Sequence, residues 1–241
     1  MGYVITFALI SFLILIHELG HFIAAKLSNI PIEIFSIGFG PKLWSFRLGQ
    51  TEYRISALPI AGYVLPKMDD LDDFFQINSS RRIAFALGGP TANIILAVIC
   101  LGFLNVLTTD FSFYAVLIFP FVQLTKITSQ FLYALPSLFS SPGELAGVIG
   151  IVAMGGQMVA GDFLNILNLA IMLNINLAVL NLLPILPFDG GKIVFCLLEK
   201  IHRSFLRLQI PLTVTGWVLL FGLLSYVTVL DMCRYVFKIY A

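Results

Sequence analysis

Ile16-His17-Glu18-Leu19-Gly20-His21 sits inside the first long apolar run of this 241-residue chain. On a helix, positions i and i+4 share a face, so His17 and His21 present two imidazoles to one point while Glu18 projects beside them. That is the arrangement of a zinc hydrolase: two ligands and a carboxylate able to take a proton from water. Two of the three histidines in the protein fall in this one turn. Ionisable groups inside a membrane helix cost on the order of 2 kcal/mol or more each unless they pair or coordinate. The competing reading is a juxtamembrane helix end with solvated histidines, and the rest of the chain has to decide between the two.

The composition is that of a polytopic membrane protein. It is 59% hydrophobic and 11% charged, with a mean hydropathy of +0.97, far from a soluble globular domain. No Lys or Arg precedes Tyr3-Val4-Ile5, so the basic start of a secretory signal is missing and helix 1 is expected to be retained. Cys100, Cys196 and Cys233 stand singly in apolar surroundings, without disulfide or metal-ligand spacing. A net charge of +1 and no basic patch interleaved with aromatics argue against a nucleic-acid partner.

The expected fold is an all-α polytopic membrane protein with about four transmembrane helices and a re-entrant β-hairpin element after the first. Helix 1 covers residues 3–27, long enough to cross about 30 Å of hydrocarbon. Residues 30–64 alternate apolar and polar positions and are broken by Gly38, Gly40 and Gly49, which predicts short strands in hairpins. Between residues 67 and 82, Asp69, Asp70, Asp72 and Asp73 cluster without the further ligands of a cation cage, as in a solvated loop. Helix 2 covers residues 83–107, where the small residues Gly88 and Gly89 permit close helix contact. Its Asn93 is either interhelical glue or a residue facing the metal cavity.

Residues 111–139 hold an apolar run of about ten positions broken by Pro120, short for a span, and then a polar–apolar alternation that suits an interfacial or re-entrant segment. The Gly-rich stretch up to Gly161 reads as an irregular turn and a short helix. Helix 3 covers residues 162–182 and enters Asn181-Leu182-Leu183-Pro184-Ile185-Leu186-Pro187-Phe188-Asp189-Gly190-Gly191. Prolines and glycines at membrane depth are tolerated where the backbone is buried in protein or lines a cavity. The loop 183–191 therefore delivers Asp189 on non-helical backbone, as a third ligand for a site with two histidines and an open fourth position. The plainer alternative for Asp189 is a helix-capping loop residue. Helix 4 covers residues 212–230.

Charge counting sets the orientation. Lys26, Lys42, Arg47, Arg54, Lys67, Arg81 and Arg82 lie between helices 1 and 2, and Lys192, Lys200, Arg203 and Arg207 between helices 3 and 4. Lys126, Arg234 and Lys238 lie elsewhere. By the positive-inside rule both loops are cytoplasmic, which brings both halves of the metal site to the cytoplasmic side. A full span at 111–139 would separate them.

Taken together, these residues resemble the site-2 protease family of intramembrane zinc metalloproteases, of the bacterial regulator of sigma-E protease type. The resemblance rests on His17-Glu18-Leu19-Gly20-His21, the Phe39-Gly40-Pro41 hairpin region, Gly89 to Asn93, and Asn181 to Gly191. It implies His17, His21 and Asp189 as ligands of Zn2+, Glu18 as general base, and Asn93, Asn181 and Pro184 in substrate binding. It further implies a bacterial inner-membrane location, a substrate that is the transmembrane segment of a single-pass protein, such as an anti-sigma factor, and a β element that holds the substrate strand.

Two departures stand out. The family commonly carries PDZ domains between its second and third helices, and about fifty residues stand there in this chain, so the substrate filter is expected to be either missing or supplied by a separate gating partner. Leu186 also occupies the place of the family's usual second proline, with Pro187 following. The alternatives carried forward are a clearance protease for remnant signal peptides and a non-catalytic zinc-binding scaffold or transporter. A transporter would show repeated halves with discontinuous helices in corresponding positions, and the chain shows no such repeat.

Overall fold

A computed structural model describes residues 1–68, 71–109, 111–140, 145–159 and 161–237. Asp69 and Asp70 of the acidic cluster and part of the Gly-rich turn lie outside the described residues. The elements in order are α1 (Gly2–Leu27), β1 (Ile32–Leu48), β2 (Thr51–Pro66), α2 (Leu71–Gln76), α3 (Ser79–Thr108), α4 (Phe119–Ser140), α5 (Val148–Val159), α6 (Phe163–Asn181), α7 (Asp189–Ile201) and α8 (Leu206–Asp231). Helix dominates, as expected, because apolar runs of 19 to 30 residues can satisfy their own backbone only as helices. The chain is a multi-pass membrane protein.

Among the described residues, five helices are long and apolar enough to cross a membrane, where the sequence led us to expect about four. The additional one, Tyr114–Pro136, falls in the segment read as interfacial. Pro120 does not break it. A π-turn at Tyr114–Ile118 precedes α4, with the Phe119 amide donating to the Tyr114 carbonyl, so the proline enters in the first turn of α4, where its missing N–H is tolerated. The apolar stretch therefore runs on as 23 residues of helix.

Two units divide the chain. One comprises Met1–Leu9, Leu96–Val179 and Thr215–Ala241, and the other Ile10–Ile95 and Leu180–Val214. In the first, Ala97 and Leu101 of α3 pack against Leu167, Ile171 and Ile175 of α6 in an apolar core. In the second, Ala25 near the end of α1 and Ile30 just beyond it pack with Ile32 and Phe85. There α1 and α3 approach so closely at Gly20 and Gly88 that neither position has room for a side chain. This is the close contact the glycine pair predicted.

The β element is present. β1 and β2 pair antiparallel from Lys42↔Ser56 to Leu48↔Thr51 at the tip and from Ile32↔Pro66 to Ile37↔Gly62 at the base. Ile34 to Ile37 pair with both Glu52 to Ile55 and Gly62 to Leu65, so the long hairpin folds back on itself. Ser36 is fully buried there and donates to the Gly38 carbonyl.

Candidate metal centre

The end of α1 and the start of α7 meet in the unit Ile10–Ile95 with Leu180–Val214. His17 Nε2 and His21 Nε2 lie 3.2 Å apart. Asp189 Oδ2 stands 3.2 Å from the first and 3.1 Å from the second. All three residues are buried, at 7%, 6% and 3% exposure, which excludes the solvated-histidine reading.

Asp189 is not carried on irregular backbone, as the prolines and glycines suggested. It is the first residue of α7, after an extended Phe188 with ψ of 162°. Helix N-termini favour a carboxylate through the macrodipole, and Gly190 and Gly191 let the first turn pack against the 182–186 backbone. Burial alone would raise the Asp189 carboxyl. The Lys192 charge opposes that and favours the ionised carboxylate. The Lys192 ammonium donates to Oδ1 at 2.8 Å, leaving Oδ2 turned to the histidines.

The donor set fits zinc. Two imidazole nitrogens and one carboxylate oxygen match a catalytic site with a fourth position open. A triangle with edges of 3.1 to 3.2 Å is of a size at which all three atoms reach one cation at contact distances of about 2.0–2.2 Å. Beside the triangle, Gly89 leaves the room a side chain would take: a Cβ there would lie 2.5 Å from His21 Nε2 and 2.6 Å from His17 Nε2.

The profile of peptidase family M50 matches residues 5–225. The chain belongs to that family. It is a metalloprotease by membership, the site-2 protease resemblance stands, and its buried His-His-Asp group could hold the ion. A Clostridium acetobutylicum protein named "Putative zinc metalloprotease" is 46% identical over 102 residues, covering 39% of this chain and 30% of that protein. Relatives of the same name from Clostridium perfringens and Synechocystis sp. are 28% and 25% identical. The matches cover 94% and 91% of this chain and 98% and 91% of theirs. These two alignments run over 331 and 333 positions, more than the chain's 241 residues, so both relatives hold additional residues within the matched region.

Of the other predicted site residues, Glu18 is half-buried beside the histidines. A Cβ on Gly62 of β2 would come within 2.7 Å of Glu18 Cγ, so that strand lies directly against the carboxylate side chain. Asn93 is fully buried, and its Nδ2 lies 3.4 Å from His17 Nδ1. Asn181 ends α6 half-buried, and Pro184 is exposed in the turn that follows. Neither belongs to the three-ligand group.

Three features escaped the sequence reading. His21 Nδ1 donates to the Phe85 carbonyl at 2.8 Å. Lys192 neutralises Asp189 from one helical turn along. Arg82, at 1% exposure, pairs with Glu199 near the far end of α7 and donates from Nε to the Ile77 carbonyl at 3.0 Å. The one visible signal was Arg81-Arg82 at the mouth of an apolar helix, which the orientation count absorbed.

Proposed function

We propose that the protein is an intramembrane endopeptidase that cuts a transmembrane segment of a single-pass membrane protein. The observation that carries the reading is the buried His17, His21 and Asp189 group, with Glu18 adjacent, on a helix apolar enough to span. Bound zinc supplies Lewis acidity, polarising the scissile carbonyl and acidifying the attacking water. Glu18 accepts the water proton and passes it to the leaving amine. His17, His21 and Asp189 hold the ion, and Lys192 keeps Asp189 ionised and its Oδ1 occupied. Buried surroundings on α1 and α3 keep bulk water from competing.

Helical backbone hydrogen bonds shield a peptide bond, so the substrate is unwound first. Strand addition to the β element, whose Gly62 backbone abuts Glu18, brings an extended peptide to the base. In this reading the element is re-entrant, and Asn181 and Pro184 contact the bound strand. The site opens to the cytoplasmic side of a bacterial inner membrane, following the Lys and Arg distribution. Because α1 and α7 share one site, the chain between α3 and α6 makes no net crossing, which favours an interfacial α4. A separate partner gates substrate in place of the additional residues held by longer relatives. Their absence from this chain also favours a second reading, clearance of remnant signal peptides.

Cleavage of a tagged single-pass substrate by the purified protein in detergent tests the proposal. Glu18→Gln is expected to lower the rate about 10²–10⁴-fold while retaining zinc, and chelation to abolish cleavage until zinc is restored. A fully zinc-loaded Glu18→Gln variant as fast as wild type would refute the base assignment.

A further inference from the structure

Arg82, Phe85, Gly89 and Asn93 follow one another at i, i+3, i+7 and i+11 and so line one face of α3. Each touches a group of the metal centre or the helix that delivers Asp189. The Arg82 guanidinium holds α7 through Glu199. The Phe85 carbonyl lies 2.8 Å from His21 Nδ1, and a carbonyl oxygen only accepts, so Nδ1 carries the proton and Nε2 offers its lone pair. The Gly89 amide also lies 3.3 Å from that Nδ1, but the shorter contact decides the tautomer. His21 is thus oriented by backbone.

His17 is placed differently. For its Nε2 to hold a cation, the proton must sit on Nδ1, which then needs an acceptor. Asn93 is the side chain that reaches Nδ1, at 3.4 Å. Its Oδ1 is buried and, among the described residues, has no hydrogen-bond partner. A carboxamide turned by 180° exchanges Oδ1 and Nδ2 within the same volume, and that turn gives the orphaned oxygen a donor.

We propose that Asn93 is the positioning residue of His17, its carboxamide oxygen accepting from Nδ1–H and thereby fixing the imidazole tautomer and ring direction for zinc. This assigns Asn93 to the metal centre rather than to substrate binding, the role implied by the family resemblance. It rests on the zinc-protease reading above. The two histidines then differ in kind. His21 is held by a carbonyl that no side-chain substitution removes, whereas His17 depends on one replaceable amide. Partners of this type set ligand orientation and basicity, and their loss typically costs about 10–100-fold in metal affinity.

The test is zinc affinity, read by competition with a chromophoric chelator on the purified full-length protein, with the absorption of the cobalt-substituted protein as a second readout. Asn93→Leu, which is close in size and lacks an acceptor, is expected to weaken zinc about 10–100-fold and to change the cobalt spectrum. Asn93→Asp keeps an acceptor in the same place and is expected to stay within a few-fold of wild type. Should Asn93→Leu fail to fold, Asn93→Ala removes the acceptor with less crowding and carries the same expectation. Zinc held by Asn93→Leu as tightly as by wild type, with any loss confined to KM or kcat, would overturn the inference and return Asn93 to substrate contact. Wild type that binds no zinc would instead overturn the zinc reading on which the inference stands.

Discussion

Polar groups are buried in both units of this chain, and they are used in opposite ways. In Met1–Leu9, Leu96–Val179 and Thr215–Ala241, Asp231 is fully buried at the end of α8. Its Oδ2 accepts from the Gly147 and Gly150 amides at 2.9 and 2.8 Å, capping the N-terminus of α5 from another helix. Asn105 likewise gives its Nδ2 hydrogens to the Ala115 carbonyl and Gln123 Oε1, both at 2.9 Å. These contacts tie backbone ends and turns around an apolar core. In Ile10–Ile95 with Leu180–Val214, His17, His21 and Asp189 instead turn their acceptors toward one another. A buried polar group that completes a helix end is structural, whereas three that converge with lone pairs facing inward invite a cation.

The comparison can be broken at four places. The largest effect is expected at the Arg82–Glu199 pair. Glu199→Leu leaves the buried Arg82 guanidinium without its carboxylate and should cost about 3–5 kcal/mol, while Glu199→Leu with Arg82→Met recovers most of it. Thermal unfolding in detergent measures both; equal losses in the single and double variants would show that the pairing is not what matters. Next is Gly89→Ala, whose Cβ meets both ligand nitrogens. Overpacking of this kind costs about 1–3 kcal/mol and here displaces the imidazoles, so zinc per chain should fall with activity; unchanged zinc content would contradict the close approach.

In the other unit, Asp231→Ala removes an N-terminal cap worth about 1 kcal/mol. Faster amide exchange in α5, with zinc content unchanged, is the expected signature. An effect on zinc would show that the two kinds of buried polar group are coupled.

The smallest effect belongs to the hairpin tip. Hydrogen bonds from Arg54 first and Lys42 second hold the Glu52 carboxyl at about 2, below the usual value of 4.5. A folded-state value below the unfolded one contributes stability that is fully present above about pH 4.5 and is lost as pH falls toward 2. Glu52→Gln should flatten that part of the pH–stability profile, and an unaltered profile would remove the pairing from the account.

Local pattern carried much of this. The i, i+4 spacing in an apolar run put His17 and His21 on one face, and the alternation after residue 30 gave the β element, because both depend on periods of the backbone itself. Asp189 was legible as a candidate third ligand, and the structure brings its Oδ2 within 3.2 Å of both imidazoles. α7 was less so. Its first residues, Asp189-Gly190-Gly191, read as loop by propensity, and the packing of the two glycines against 182–186 overrides it. Helix continuity at Pro120 was hidden for a similar reason, since a π-turn absorbs a proline that length counting treats as a break.

What the sequence determined by itself was the solvent this chain folds in, the helix that carries the two candidate ligand histidines and the chemical class the site suggests. The tertiary structure alone decided which distant groups meet at and around that site. The Phe85 carbonyl lies 64 residues from His21, Asn93 lies 76 from His17, and Glu199 lies 117 from Arg82. No backbone period reaches so far. Side-chain direction is written in local geometry, but the acceptor at the other end of a hydrogen bond is set by which helices pack together and at what register.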